Sequence, residues 1–526
     1  MRRWLAVLLL PLALGYAQKP LVIAYQGGAV TLDPHMRNET TTLSWQHHIF
    51  ETPFFYTPDG KVVPVLAEKI EMVDPNTWRL YLKKGVRFHD GSEMTAEDVA
   101  FSILRAATHK KSQMKGYVGK VVAAEALDRY TVRIQTKVPD PLLPAHLDHA
   151  AVIPKAYLEK VGEEGFSKHP IGTGPYKFVS WLNGDHLNLE AFDGYWGPQP
   201  AFKKVKLVNI PNGATRVAAL LSGEVDIAEK VLPQDFPRVE RSGVADVRQT
   251  PGVRVIYVAL DYWRAYGSEG LPKGAKNPFL DPRARKAIYM AIDEDAIVKR
   301  IMGGAATAAQ QFLAPIHEGY NPEIRRFPYD PKAARKILED LGYGDTDGDG
   351  WLELPTKDGG RVPFALRVDA PNDRYLNDAQ IAQALANMLR RIGIKASVNA
   401  VPKKVFFPNM TKGHFTMYMA GWGSMDSINT LLSLFHSKDP SGLYGRFNRM
   451  RYKNPEVDRL IEQAAQTFDR QKREALIQKA MYIAMVQDVA YIPLHYENVI
   501  AGVRKGLVFV PRPDEYLHAY EVKKAR

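Results

Sequence analysis

Residues 85–104 read GVRFHDGSEMTAEDVAFSIL, and few folds require that succession of strand end, tight turn and capped helix. Asp90-Gly91 marks the turn, because glycine takes the positive φ that other residues resist. Thr95 stands three residues before Asp98, which is a capping-box spacing. Val99, Phe101, Ile103 and Leu104 then begin the apolar side of a helix. Nothing here has the form of a catalytic group, so the stretch reports architecture rather than chemistry.

At 526 residues the chain exceeds one core and predicts two or three domains of roughly 100–200 residues each. A 45% hydrophobic and 24% charged composition is that of a folded chain rather than a disordered one. Arg2 and Arg3, the apolar run 4–14 and Gly15-Tyr16-Ala17 have the layout of a secretory signal peptide over 1–17. The run is shorter than the roughly 18–20 residues that span a bilayer. The mature chain is therefore expected to start at Gln18, and with no cysteine anywhere it is expected to carry no lipid anchor and can form no disulfide. The formal charge is +12, lowered to +10 once Arg2 and Arg3 are removed. Basic and acidic residues are interspersed with no run of five or more Lys/Arg, which predicts a solvated basic surface and no nucleic-acid partner.

Working outward, residues 21–25 read as a buried strand, followed by Gly27-Gly28 and a turn at 32–35. Residues 49–171 form a β-rich block, with strands at 78–82 and 130–136, that reads as an inserted subdomain. IGTGPY at 171–176 leads into a hairpin over 177–192 that ends in Asp193-Gly194-Tyr195-Trp196-Gly197. This glycine-rich run is no phosphate loop, since it lacks the Gly-Lys-Ser/Thr ending and a following helix. A helix at 214–221 runs into Ser222-Gly223-Glu224-Val225-Asp226. RVIYVAL at 254–260 is a continuous apolar strand and reads as a crossing into a second lobe. Helices at 282–292, 331–341 and 377–392 then alternate with strands at 364–369, 394–401 and 415–422. Helices at 455–468 and 470–487 precede AYIPLHY at 490–496, the return crossing. Two crossings predict a hinge around a cleft.

The motifs at 85–104, GTGPY, 193–197 and 222–226, joined by 287–293, 391–395 and 454–458, resemble the peptide-binding (dipeptide and oligopeptide) class of extracytoplasmic solute-binding proteins of ABC importers. The resemblance covers essentially the whole mature chain. It implies an α/β two-lobed periplasmic-binding-protein fold with hinge strands and an extra inserted subdomain. Lobe I is expected over 18–48, 172–260 and 489–526, the subdomain over 49–171 and lobe II over 261–488. It further implies a monomeric periplasmic receptor that closes over a short peptide and delivers it to a membrane ABC permease, without covalent chemistry or a catalytic residue. Many members of the class carry a lipid-anchoring cysteine, and this chain departs from them.

Candidate contacts lie at strand ends facing the cleft. In relatives, an Asp shortly after a Gly-Trp pairs with the ligand's α-ammonium, and Asp426, after Trp422, matches by position. Asp and Ser are also favoured helix caps, so Asp426-Ser427 equally reads as the cap of a helix from Ile428. Tyr25, Gly27, Gly28, Trp45, Tyr262 and Trp263 complete the expected wall, and an arginine among Arg446 and Arg449 is a candidate for a ligand carboxylate. Asp345, Asp347, Asp349 and Gly350 resemble the opening of an EF-hand loop, with Glu353 at the ninth place but Thr356 instead of Glu at the twelfth. A structural Ca²⁺ is thus left open, and no other cofactor is expected. An oligosaccharide, or a nickel- or haem-type ligand, on the same fold is the alternative. A secreted hydrolase is a further one, without a nucleophile elbow or a zinc motif to support it.

Overall fold

The computed structural model describes residues 19–440 and 444–525; the leader expected over 1–17 lies outside them. Gly91 takes φ +88°, and the Asp90 carboxylate accepts the Ser92 N–H at 2.9 Å. The helix that follows runs Ala96–Thr108. One oxygen of Asp98 accepts the Thr95 N–H at 3.0 Å and the other the Lys155 N–H at 3.0 Å. A single carboxylate therefore ties down the first turns of two helices, Ala96–Thr108 and Lys155–Lys168. The apolar side of the first packs Val99, Ile103 and Ala106 onto Leu80, Val132 and Ile134. Those three belong to a four-stranded antiparallel sheet ordered Ala67–Asp74, Thr77–Leu82, Thr131–Thr136, Val121–Asp128.

The principal sheet is organised by two long antiparallel strands at its centre, Ala245–Leu260 and Ile492–Arg504. On one side it continues through Ile227–Glu229, Leu21–Tyr25 and Lys204–Asn209 to the hairpin His186–Ala191 and Tyr176–Leu182. On the other it continues through Met417–Trp422, Ala365–Pro371 and Lys395–Val401. Both central strands thus run through two lobes, which makes the molecule a two-lobed α/β protein. They are longer than the apolar runs at 254–260 and 490–496 suggest. Residues 245–251 are partly exposed, whereas Val253–260 is buried throughout, and only a strand covered on both faces reads as a continuous apolar run.

Between the lobes the ladder breaks. Pairing ends at Pro251 with Asn498 and resumes at Val255 with Tyr496, as expected where proline brings no N–H to the ladder. Gly252 fills the gap; a Cβ there would stand 2.4 Å from the Glu497 carbonyl oxygen. No helix among the described residues is long and apolar enough to cross a membrane.

Candidate ligand-binding site

Beside this break in the central strands lies a cavity of about 350 Å³. Its floor is Val253 and Arg254 of the first central strand. Arg254 donates to both oxygens of Glu515, one bond measuring 2.9 Å. Burial alone would raise the Glu515 carboxyl, but the guanidinium overrides it and holds it at about 2.

One wall comes from the segments around the four-stranded sheet, with Tyr117, Asp148 and His149. His149 stacks on Tyr117 at 3.5 Å between ring centroids, and burial holds its imidazole neutral, at about 3. The facing wall comes from the second lobe, with Arg374, Trp422, Asp426, Arg446 and Arg449. Arg446 and Arg449 lie 5.4 and 5.0 Å from the Phe447 ring centroid, and Arg374 lies 5.2 Å from that of Tyr375. A Cβ on Gly116 would fall 2.6 Å from Arg446 Nη1, so glycine leaves room for that guanidinium. Among the described residues none of these three arginines makes an ion pair.

The two walls are joined by a buried chain of charges. Lys120 reaches Asp140 at 3.1 Å, Asp140 holds His146 at 2.7 Å, and His146 Nε2 lies 3.2 Å from Asp426. Burial disfavours a charged imidazole, yet the two carboxylates raise His146 to about 9. Asp426 also accepts the Asn429 N–H at 3.0 Å, capping Ser427–Thr430. Capping and His146 thus take up the carboxylate that was expected to lie free for a ligand ammonium.

Of the expected contacts, Trp422, Asp426 and Arg446 line the cavity. Tyr25, Gly27, Gly28, Trp45, Tyr262 and Trp263 do not. Tyr25 is in the core, its hydroxyl donating to Leu517 O at 2.6 Å and its ring 5.6 Å from buried Trp45. Gly27 and Gly28 lie against Thr41 and Asn209. Tyr262 donates to Val489 O at 2.5 Å, and Trp263 is exposed between Arg264 and Arg451. These strand-end aromatics pack beneath the cleft or outside it, because a large ring beside a core strand gains most by burial. Arg254, Arg374, Asp148 and Glu515 went unseen, since isolated charged residues in loops and strands carry no periodic signal.

Away from the cavity, carboxylate oxygens of Asp345, Asp347 and Asp349 lie within 4.8 Å of one another. Asp345 accepts the N–H groups of Gly348 and Gly350, each at 2.8 Å. Glu353 does not join them; it accepts from Arg361 at 2.8 Å and from the Thr346 hydroxyl. As an isolated acidic turn, the cluster is a different matter from the cleft.

A cleft between two lobes, spanned by paired strands and lined by charges of both signs, is the arrangement of a solute-binding receptor. The chain belongs to the bacterial extracellular solute-binding proteins, family 5, whose middle region matches residues 61–442. It is similar to the glutathione-binding protein GsiB of Shigella dysenteriae, 28% identical over 507 residues covering 94% of this chain and 92% of the relative. The GsiB protein of Pectobacterium atrosepticum is 27% identical over 534 residues, covering 98% and 96%. The oligopeptide-binding protein AppA of Bacillus subtilis, solved with a nonapeptide, superposes with a TM-score of 0.79 at 24% identity, covering 97% of this chain and 99% of that one. NikA of Brucella suis, solved with Fe(III)-EDTA, gives 0.81 at 22% identity, covering 96% and 100%. At such identities the two structures establish the fold alone.

Proposed function

We propose that the protein is the periplasmic receptor of an ABC importer and that its cargo is a short peptide, enclosed as the two lobes close and delivered to a membrane permease. The observation that carries this reading is the about 350 Å³ cavity, within the usual span of small-ligand sites, with charged groups of opposite sign on its two walls. A peptide presents the matching pair, an ammonium and at least one carboxylate. Arg374, Arg446 and Arg449 are suited to the carboxylates, because a guanidinium grips a carboxylate with two parallel hydrogen bonds. Relatives named for glutathione, itself a tripeptide, support the same class of cargo.

An oligosaccharide is less well supported. Tyr117, Tyr375, Trp422 and Tyr516 line the cavity and could stack on sugar rings, but a neutral sugar brings no carboxylate to Arg374, Arg446 and Arg449. Native mass spectrometry of the exported protein, with release of whatever it carries, tests the reading. A heterogeneous set of short peptides is the expected result, and a single sugar or metal complex overturns it.

A further inference from the structure

We propose that Asp148 is the acceptor for the cationic group of the ligand, so that a peptide's α-ammonium faces the wall around the four-stranded sheet and its carboxylates face the arginines of the second lobe. This rests on the peptide reading above and adds a polarity to it.

Asp148 sits in the short turn Leu147–His149 and is 8% exposed. It lines both the main cavity and a small adjoining one shared with Leu43 and Tyr516. Among the described residues its carboxylate makes no hydrogen bond or ion pair, and Oδ1 is fully buried without a partner. Leaving such a group unpaired costs free energy, and a cation in the cavity is what would recover it.

No resident cation serves. His146, two residues away, is held between Asp140 and Asp426. His149 is neutral. Arg512, whose charge acts on Asp148 less than that of Asp514 does, is bonded to Asp514, Glu521 and the Tyr56 carbonyl. Burial, and then the nearby Asp514 charge, push the Asp148 carboxyl well up, which is the condition of an acid that lacks its counter-ion.

Asp426 differs in its neighbours. Its Oδ2 is likewise buried without a hydrogen bond, but a histidinium stands 3.2 Å from that oxygen and the other accepts a backbone N–H at 3.0 Å. A charge-assisted bond in an enclosed site is a strong orienting contact. The opposite wall, with three arginines free of ion pairs, fixes the other end, so only one orientation of a peptide satisfies both.

The test uses the exported protein cleared of bound solute by dialysis. A casein digest of two- to ten-residue peptides is mixed in equal amounts with its N-acetylated copy, and the captured peptides are quantified by mass spectrometry. Wild type is expected to favour the free-amine copies by about tenfold or more, the scale of one charge-assisted bond. Asp148→Asn should capture both copies alike, with a thermal midpoint no lower than wild type because no resident contact is lost. Asp148→Ser is a second neutral variant, and either variant is used once it shows the wild-type circular dichroism spectrum. Asp426→Asn should capture less in total while keeping the free-amine preference. A preference that survives in both Asp148 variants, or disappears in Asp426→Asn alone, overturns the assignment. Wild type that captures neither copy overturns the peptide reading itself and the assignment with it.

Discussion

His146 shows how single residues set the charge pattern of the cleft. Its imidazole binds a proton more tightly in the folded chain, at about 9, than the ordinary 6.5 of the free side chain. The stabilisation is therefore complete below pH 6.5 and disappears as pH rises through 9. The thermal midpoint is expected to fall between pH 7 and 9.5, by a differential of about 3 kcal/mol for a shift of this size. Replacing His146 by Gln should flatten that slope in calorimetry, and an unchanged slope would show that other groups cause it. The Arg254–Glu515 pair behaves oppositely. Glu515 is held at about 2, so its contribution is present above the ordinary Glu range and lost as pH falls towards 2. Arg254→Met leaves Glu515 buried and unpaired, and urea unfolding should show a loss of about 3–5 kcal/mol.

At the scale of elements, the joint around Asp98 does more than begin one helix. Its carboxylate satisfies N–H groups at the starts of two, so Asp98→Ala should cost about 1–3 kcal/mol, read from the urea midpoint at constant slope. The turn and the Thr95–Asp98 cap were plain from residues 85–104, because capping and turn chemistry are local and depend on a few side chains, whereas the bond from Lys155 spans 57 positions. The central strands were only half legible. Their doubly buried portions stood out as RVIYVAL and AYIPLHY, while the exposed 245–251 portion carries the mixed composition of any half-solvated strand. Gly252 was invisible for a different reason, since only the meeting of the two central strands at the break in their ladder brings the Glu497 carbonyl close to it. Gly252→Ala forces that contact apart, and a destabilisation of about 1–3 kcal/mol is expected, again from urea unfolding.

Across the whole molecule, closure and stability are linked through the cavity. A peptide that contacts both lobes binds the closed folded chain and not the unfolded one. At a hundredfold excess over Kd it should add about 2.7 kcal/mol to stability, read as a rise in thermal midpoint together with a smaller radius of gyration in X-ray scattering. A midpoint that rises without compaction would place the ligand in an already closed cleft. The two lobes also meet directly through His146 and Asp426, so deprotonation above pH 9 should favour opening in the same scattering measurement.

From its sequence alone, this chain declares the place of its crossing strands and, through the motifs by which it resembles its family, a two-lobed α/β receptor. Those features follow from periodicity, turn chemistry and motif order, all of which are written in residues close together. Which side chains face the ligand is decided by tertiary structure. Asp148 and Asp426 are 278 positions apart, and nothing local distinguishes a carboxylate that has a histidinium beside it from one that has none. Packing sent Tyr25, Trp45 and Tyr262 away from the cleft, and long-range pairing left Asp148 and three arginines facing into it. A charge takes its role from its partners, and the partners here come together only when the lobes fold against each other.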